Sequence, residues 1–591
     1  MTKAMTETAG ESSADHERGQ TSVSMQELFR RVALAVLLLP MLIVFLAGLP
    51  AILLYYYFVY VPRRQKVVKG LGAEEAPWSL RRSLPKWPWS VRGREICREL
   101  PLDDFERCEA GDTPMPRFEQ KRLENYSCTY CVVANVCHVT SEQEIVAAVC
   151  WASRTGNRVR AMGSLFSWPE MVADGRESVV LSLQEYNRFL SCTPLTEADG
   201  QGTAALAEVE AGMKIWQLNA ELDKLGYTMP TLGNVTGQSV GGVVSTGTHG
   251  KRMFGDNRCT FGTISSLVER VRLVTADGSV EVIEVAAGGD RGRAVGVSVG
   301  MLGVLSTVTL RVERKHDLEF HIDTCDFEDG LRRFPELLDQ NEAVSLVYWP
   351  TLDRWRIEVA TRPSPKAEGS RKCHPMPQHS RLKIFFSSAF NVLLSYYYWV
   401  PGLLRLAHKF ASTDGHSEFS YRGPSYSVVA LNVELDIEHH EVEFAFDLAQ
   451  FADVMRAYRD AMLGLPTNVY AFCMIDVRAT GGDEAWLSPA FGRKTVWLDV
   501  VMPMRIKKHF KKLCAAVVPV AESFGGRPHW GKINPSSAEY TRACFPKFAE
   551  FATLKREMDP NRVFGCTWLD NFFDCASGLR LEATEELFVS V

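Results

Sequence analysis

The sequence lacks an excess of positive charge, and this excludes one large class of function. Its 66 Lys and Arg residues against 71 Asp and Glu residues give a formal net charge of −5 at pH 7. Basic residues do not cluster with aromatic ones on any periodic segment, so neither the overall field nor a local patch favours nucleic acid. No internal repeat is visible.

Cysteine is also sparse, with 15 residues in a chain of 591, and the odd number excludes complete internal pairing. A scaffold held by disulfides would be short and rich in cysteine. One cluster, Cys128, Cys131 and the adjacent Cys137-His138, has the spacing of a zinc site. Half-buried thiols around the start of a strand are the interpretation that we favour, and we predict no metal.

Charge is absent altogether from one long segment, Val32–Val61, which has thirty residues without a charged side chain. A spanning helix needs about 20 apolar residues, so this segment can cross a membrane once with tilt or fold as a hairpin. The polar residues 1–31 before it are predicted to be a disordered tail. We predict a membrane anchor that contacts lipid, with the endoplasmic reticulum as a candidate location and residues 62–124 as a linker.

A second apolar stretch, Ile384–Ala407, contains Asn391, Pro401 and Arg405. Its composition suits a helix lying in the membrane interface, and a core helix of a second domain is an equal alternative. The preceding segment, Pro363–His379, is rich in Pro, Lys and Ser and is predicted to be a flexible surface insertion.

The part between the two apolar stretches has a mixed α and β pattern. Apolar spacing predicts a helix over Ser141–Ser153, with Ser141 as N-cap and Glu144 completing a capping box. A hairpin is predicted for Leu267–Ala276 and Val280–Val285 around Asp277-Gly278. Further strands are predicted at Arg158–Met162, Val179–Leu183, Ala207–Val209, Val268–Thr275 and Val304–Val312.

Glycine is concentrated in three loops, Gly163–Ser167 (GSLFS), Gly233–Gly250 (GNVTGQSVGGVVSTGTHG) and Gly296–Gly303 (GVSVGMLG). Glycine allows close approach of the backbone, so that successive N–H groups can converge on an anion such as a diphosphate. None of the loops matches the strand–GxGxxG–helix fingerprint, so a Rossmann site is not supported.

In this order and spacing, the three loops resemble the FAD-binding domain of vanillyl-alcohol oxidase-type flavoproteins. The resemblance implies an α+β fold with an FAD-binding domain (125–312), a substrate cap (313–510) and a C-terminal segment (511–591) that completes the site. It also implies which residues contact FAD. These are Gly163, Ser164, Leu165, Phe166, Ser167, Gly233, Gly237, Gly241, Gly242, Ser245, Thr246, Gly247, Thr248, His249, Gly250, Gly303 and Val304.

The first loop departs from the family pattern at one position. Many members carry His before the final Ser, and that imidazole is bonded to the flavin. Phe166 stands at this position, and a hydrocarbon ring cannot form such a bond. We therefore predict that FAD is held non-covalently.

The C-terminal part narrows the resemblance. The segment Gly525–Lys532 (GGRPHWGK), followed by Phe545-Pro546 and by Met558–Arg562 (MDPNR), resembles the end of the aldonolactone oxidoreductases. Those include gulonolactone oxidase, arabinonolactone oxidase and galactonolactone dehydrogenase. Their Glu-x-Arg strand corresponds to Asp476 and Arg478, which alternation places on one side of a strand. A surface ion pair is the alternative for this Asp-x-Arg.

The resemblance implies oxidation of a sugar-1,4-lactone at C2, with a proton passing to a base and a hydride to the flavin. Asp476 and Arg478 would bind the lactone oxygens through charge-assisted hydrogen bonds. Lys532 and His529 are the candidate cations for negative charge that develops on the flavin. Gly233 stands where a small residue suits oxidases, which predicts O2 as acceptor and hydrogen peroxide as product. An alditol oxidase, a dehydrogenase with a protein acceptor and a silent membrane flavoprotein remain alternatives.

Overall fold

The computed structural model describes residues 118–127, 129–175, 178–195, 204–253, 261–363, 374–375, 402, 405, 420–430, 439–503 and 507–573. The predicted tail and anchor, most of the linker, and the stretch Ile384–Ala407 apart from residues 402 and 405 lie outside these residues. Within the described part, no helix has the length and the apolar character required to cross a membrane.

The first sheet contains strands β1 (Phe118–Glu124), β2 (Cys131–His138), β3 (Val159–Met162) and β4 (Val179–Ser182). Their order is β1-β2-β4-β3. β1 is antiparallel to β2, whereas β4 runs parallel to both of its neighbours. Helix α1 (Glu142–Thr155) connects β2 to β3. A strand–helix–strand unit therefore leads directly into the first glycine loop.

The second sheet is antiparallel, and its long central strand carries the third glycine loop at its start. The strands are β5 (Phe189–Pro194), β6 (Ala204–Glu210), β7 (Tyr227–Thr228), β8 (Val268–Val274), β9 (Val280–Glu284) and β10 (Val304–Arg314). Their order is β5-β6-β10-β8-β9, and β7 also pairs with β10. The helices in this part are α2 (Ile215–Leu225), α3 (Val240–Thr246) and α4 (Asp290–Gly296).

The third sheet has nine strands among the described residues, in the order β14-β15-β11-β13-β12-β17-β18-β16-β19. They are β11 (Asp317–Asp326), β12 (Ala343–Trp349), β13 (Arg354–Thr361), β14 (His374–Pro375), β15 (Ser420–Pro424), β16 (His439–Asp447), β17 (Met474–Thr480), β18 (Thr495–Pro503) and β19 (Arg527–Pro528). The accompanying helices are α5 (Phe327–Gln340), α6 (Ser425–Val429), α7 (Phe451–Leu463), α8 (Thr467–Tyr470) and α9 (Lys507–Ser523).

The C-terminal helices pack with the first two sheets. These are α10 (Ala538–Cys544), α11 (Phe548–Met558) and α12 (Thr567–Phe573). Their buried side chains, including Phe551 and Phe572, belong to the hydrophobic core that also contains α1 and the second sheet. A separate core, with Phe334 and Phe446 at its centre, lies between the third sheet and helices α5, α7 and α9.

The predicted local structure is confirmed at several places. Helix α1 begins where the sequence indicates, and Ser141 accepts from the Glu144 N–H. The capping box is incomplete, because the Glu144 carboxylate accepts from Thr140 N and its hydroxyl. The predicted hairpin is β8–β9, and Gly278 takes a φ of +82° in its turn.

The structure separates the residues of the cysteine cluster. Cys131 and Cys137 lie on β2 six positions apart, a distance of about 20 Å along an extended strand. His138 Nε2 lies 3.0 Å from Glu119 Oε1. Cys128 is outside the described residues. Cys131 and Cys137 therefore cannot bind the same ion.

Candidate flavin and substrate site

The glycine loops meet around a cavity with about 890 Å³ of open space. Ten of the predicted cofactor-binding residues line it. They are Gly163, Ser164, Leu165, Phe166, Ser167, Gly241, Gly242, Ser245, Thr246 and Gly303.

The loops form a cradle that side chains would fill. A Cβ atom on Gly163 would come 1.9 Å from Ser239 Oγ, and one on Gly241 would come 3.0 Å from the Ala211 Cβ. Ser239 is also the N-cap of α3, and its hydroxyl accepts from Gly242 N. Backbone N–H groups of the loops can thus approach a bound anion closely. The glycine-rich lining of the cavity therefore fits the diphosphate of FAD.

Phe166, which stands where many members of the resembling family carry the flavin-bonded histidine, packs against other residues of the protein. Its ring stacks on Tyr126 with 4.3 Å between centroids. A Cβ on Gly237 would come 2.9 Å from Phe166 Cζ. The preceding Leu165 has a φ of +54°, a left-handed conformation that costs energy for a leucine.

Arg160 on β3 holds the walls of the cavity together. Its guanidinium donates to the carbonyls of Met171, Val299, Gly300 and Phe564 at 2.8–3.1 Å. Arg160 was not predicted as a site residue. A charged residue inside a short apolar strand is the signal that could have identified it, because buried charges are rare unless they have partners.

Seven predicted cofactor residues do not line the cavity. Gly237 packs against Phe166, Val304 begins β10, and His249 lies in the charged cluster described below. The others lie in the second glycine loop, whose first residue, Gly233, lies beside Thr248 and His249 near the other end of the loop. This set is Gly233, Gly237, Gly247, Thr248, His249, Gly250 and Val304.

The four predicted catalytic residues lie in one buried charged cluster on the third sheet. Asp476 and Arg478 lie on the same side of β17, with Arg478 Nε 3.2 Å from Asp476 Oδ2. Arg478 also approaches Glu443 Oε1 at 3.4 Å and Asp499 Oδ2 at 3.7 Å. Arg478 is therefore buried and Asp476 half-buried in this cluster, which does not fit the alternative of a surface ion pair.

Asp476 has further partners that fix its orientation. Its Oδ1 accepts from Ser345 Oγ at 2.9 Å, and its Oδ2 accepts from Asn234 Nδ2 at 3.2 Å. Asn234 follows Gly233 in the second glycine loop, so Asp476 links the third sheet to that loop. The shorter Asp side chain therefore reaches both Arg478 and the loop.

Lys532 is held between two carboxylates and an aromatic ring. Its ammonium contacts Glu441 and lies 3.1 Å from Asp499 Oδ2, and it stands 4.5 Å from the ring centroid of Trp168. Burial lowers the pKa of Lys532 to about 7, while the two carboxylates favour its charged form. Lys532 can therefore change charge near neutral pH.

His529 is buried as a neutral ring, which differs from its predicted role as a cation. Burial lowers the pKa of His529 to about 4. Its Nδ1 accepts from Gly531 N at 2.9 Å, so this nitrogen carries no proton. Of the two predicted cations, only Lys532 can carry charge at neutral pH.

His249 and Glu443 form a pair that holds a proton. Nδ1 of His249 donates to the Gly250 carbonyl, and Nε2 lies 2.9 Å from Glu443 Oε1. Burial lowers the pKa of His249 well below its usual range and raises the pKa of Glu443. With His529 they resemble a metal-ligand group. Both ring nitrogens of His249 already have hydrogen-bond partners. The His249–Glu443 pair is therefore better suited to share a proton than to bind a metal ion.

Glu441, Glu443 and Asp499 were not predicted from the sequence. Glu441 and Glu443 alternate with apolar residues on β16, and Asp499 interrupts an apolar run on β18. An acid inside a buried strand is the signal that could have identified them. Trp168 joins this cluster to the cavity, because Trp168 N donates to the Gly531 carbonyl and follows Ser167.

Two family models and several known proteins are similar to this chain. The family model for D-arabinono-1,4-lactone oxidase matches residues 308–572, and the model for the FAD binding domain matches residues 133–284. The chain is 26% identical to L-gulono-1,4-lactone dehydrogenase of Mycobacterium tuberculosis over 73% of its length and 94% of that protein. It is 24% identical to L-gulonolactone oxidase of Bos taurus over 76% of its length and 98% of that protein.

The fold is similar to that of a solved oxidase. A crystal structure of cholesterol oxidase from B. sterolicum superposes with a TM-score of 0.64 at 16% identity, covering 78% of this chain and 97% of the other. At this identity the likeness concerns the fold alone. It supports the mixed helix and sheet architecture predicted from the sequence.

Proposed function

The chain belongs to the aldonolactone oxidoreductases and is an FAD-dependent enzyme, and from this premise we propose that it oxidises a sugar-1,4-lactone at C2. The substrate class comprises gulono-, galactono- and arabinono-lactone, and the product is of the ascorbate type. When bound, FAD would accept the hydride from C2, and the protein would accept the proton of the C2 hydroxyl group, which would leave a ketone.

The observation that carries this proposal is a pair of buried carboxylate oxygens without hydrogen-bond donors. Glu443 Oε2 and Asp499 Oδ1 have no partner among the described residues. A buried acceptor is costly unless a donor reaches it. The hydroxyl groups of a sugar lactone are such donors, and Arg478 between these acids can donate to its ring or carbonyl oxygens.

The same cluster can receive the proton. Burial raises the pKa of Glu443 and raises the pKa of Asp499 well above its usual range, and this favours uptake of a proton, with Asp499 as the acceptor because Glu443 already shares a proton with His249. Lys532 between Asp499 and Glu441 supplies the positive charge that stabilises negative charge in the transition state. The cluster thus combines substrate binding, proton transfer and electrostatic stabilisation.

We further propose that O2 is the electron acceptor, which yields hydrogen peroxide. The support is Gly233, a residue without a side chain directly beside Thr248 and the His249 carbonyl of the second glycine loop. For localisation, we propose attachment to a membrane through Val32–Val61, whose length and lack of charge support an anchor.

The test is anaerobic reduction of the purified holoenzyme with a panel of aldonolactones and matched alditols. We expect rapid flavin bleaching with at least one lactone and slower bleaching with the alditol of the same configuration. Oxygen uptake with equimolar peroxide would support the acceptor. Faster bleaching by alditols would overturn the lactone assignment, and no bleaching by either class would support a silent flavoprotein.

A further inference from the structure

A lysine outside the predicted site lies behind the cavity. Lys214 is 6% exposed, and its Nζ donates to Ser164 Oγ at 2.7 Å. No carboxylate among the described residues pairs with it, and burial lowers its pKa to about 8. A buried ammonium without a counter-ion is costly, so an anion in contact with this group would stabilise the protein.

The fold holds Lys214 firmly at this place. Its backbone N–H donates to Gln217 Oε1, and Lys214 forms an antiparallel bridge with Ser239. Ser239 is the N-cap of α3 and fills the space above Gly163. Lys214 is therefore fixed beside the two loops that line the cavity.

Ser164 connects the lysine to the cavity. It lines the cavity wall, and Lys214 Nζ is the only hydrogen-bond partner of its Oγ in the described part of the chain. Because the ammonium donates to this oxygen, the hydroxyl hydrogen must point elsewhere. The hydroxyl is thus prepared to donate to an acceptor in the cavity, with a positive charge directly behind it.

We propose that Lys214, acting through the Ser164 hydroxyl, offsets the negative charge of the FAD diphosphate and sets the affinity for the nucleotide part of the cofactor. Lys214 is a positioning residue in this arrangement, and Ser164 makes the contact. The proposal rests on FAD occupying the cavity and is independent of which lactone is oxidised.

The test compares flavins that differ in phosphate. Full-length apoprotein carrying Lys214→Met is titrated with FAD and with riboflavin, and binding is followed by flavin fluorescence. Loss of a hydrogen bond that involves a charged group should weaken FAD binding roughly 10- to 100-fold. Riboflavin has no phosphate, so its affinity should stay within about threefold of wild type.

Three variants separate this role from a general structural one. Lys214→Arg keeps the charge and should restore most of the FAD affinity. Lys224→Met removes an exposed lysine from α2, the helix that follows Lys214, where it pairs with Glu221, and should leave both affinities unchanged. In a Ser164→Ala background, Lys214→Met should cause a much smaller further loss, because the two residues act as a unit.

Two results would overturn the proposal. One is an unchanged FAD affinity in Lys214→Met. The other is an equal loss for FAD and riboflavin, which would assign Lys214 to the packing of the loops. The rate of FAD release from the holoenzyme at increasing salt gives a second measurement that needs no apoprotein. Release from wild type should accelerate more steeply with salt than release from Lys214→Met.

Discussion

The ring of Phe166 stacks on the ring of Tyr126, with 4.3 Å between their centroids and 22° between their planes. Phe166 lines the cavity. Its position corresponds to that of the histidine which, in many vanillyl-alcohol oxidase-type flavoproteins, is bonded to the flavin. Its hydrocarbon ring is therefore part of the protein packing and offers no atom for a bond to the cofactor.

We predict that FAD is released completely on denaturation, because Phe166 cannot form a covalent link. Acid precipitation of the holoenzyme should leave all flavin absorbance in the supernatant. A yellow pellet, or a fluorescent protein band after denaturing electrophoresis, would contradict this prediction.

Replacing Lys532 by Ala should slow flavin reduction while FAD stays bound. Removal of a fixed charge from a developing anion costs on the order of 3 kcal/mol, about a hundredfold in rate. Single-turnover reduction by the preferred lactone measures the effect. The control is Lys547→Ala, which removes a half-exposed lysine paired with Glu550. Equal rates in Lys532→Ala and wild type would show that Lys532 is structural.

The reduction rate should fall as the pH rises through about 7. Burial lowers the pKa of Lys532 to about 7, so the protonated, stabilising form is present below that pH and is lost above it. In Lys532→Arg the group stays protonated to high pH, and this decline should disappear. Stopped-flow reduction from pH 5 to 9 tests both variants. If the reduction rate of Lys532→Arg fell with the same midpoint pH as that of wild type, the pH dependence would belong to another group.

Gly233→Ala should slow reoxidation of the reduced enzyme by O2. The added methyl would lie 3.1 Å from Thr248 Cγ2, close enough to fill the space beside the loop with only a small shift. Stopped-flow mixing of the reduced enzyme with oxygen gives the rate. Gly289→Ala adds a methyl in open space and serves as the control. If wild type already reacts slowly and Ala changes nothing, Gly233 does not control oxygen access.

The full chain should sediment with membranes, and deletion of residues 1–61 should weaken this attachment. Deletion of residues 1–31 alone removes the polar tail and should have no effect, because Val32–Val61 supplies the apolar surface. Fractionation with an alkaline wash compares the three proteins. Full-length protein found entirely in the soluble fraction would contradict the proposed anchor.

The glycine loops could be predicted from the sequence because their chemistry is local. Gly163 and Gly241 require no side chain where Ser239 and Ala211 lie close, and that requirement leaves a motif in a short segment. Helix α1 and the β8–β9 hairpin were predictable for the same reason, since Ser141 and Gly278 act on their immediate neighbours.

The charged cluster could be predicted only in part. Asp476 and Arg478 share one strand, whereas Glu443 and Asp499 join them through the pairing of β16, β17 and β18. Strand pairing between distant segments has no local signal in one sequence. The role of Lys214 could not be predicted for the same reason, because its partner Ser164 is 50 positions earlier in the chain.

The hydrogen bonds of Arg160 connect the FAD-binding part of the chain to its C-terminal helices, which are synthesised last. Arg160 donates to the Phe564 carbonyl 404 residues later, and the neighbouring Arg158 pairs with Asp570. Contacts between such distant residues delay folding, since most of the chain must leave the ribosome first. The FAD-binding segment therefore cannot complete these contacts until the C-terminal helices have been synthesised.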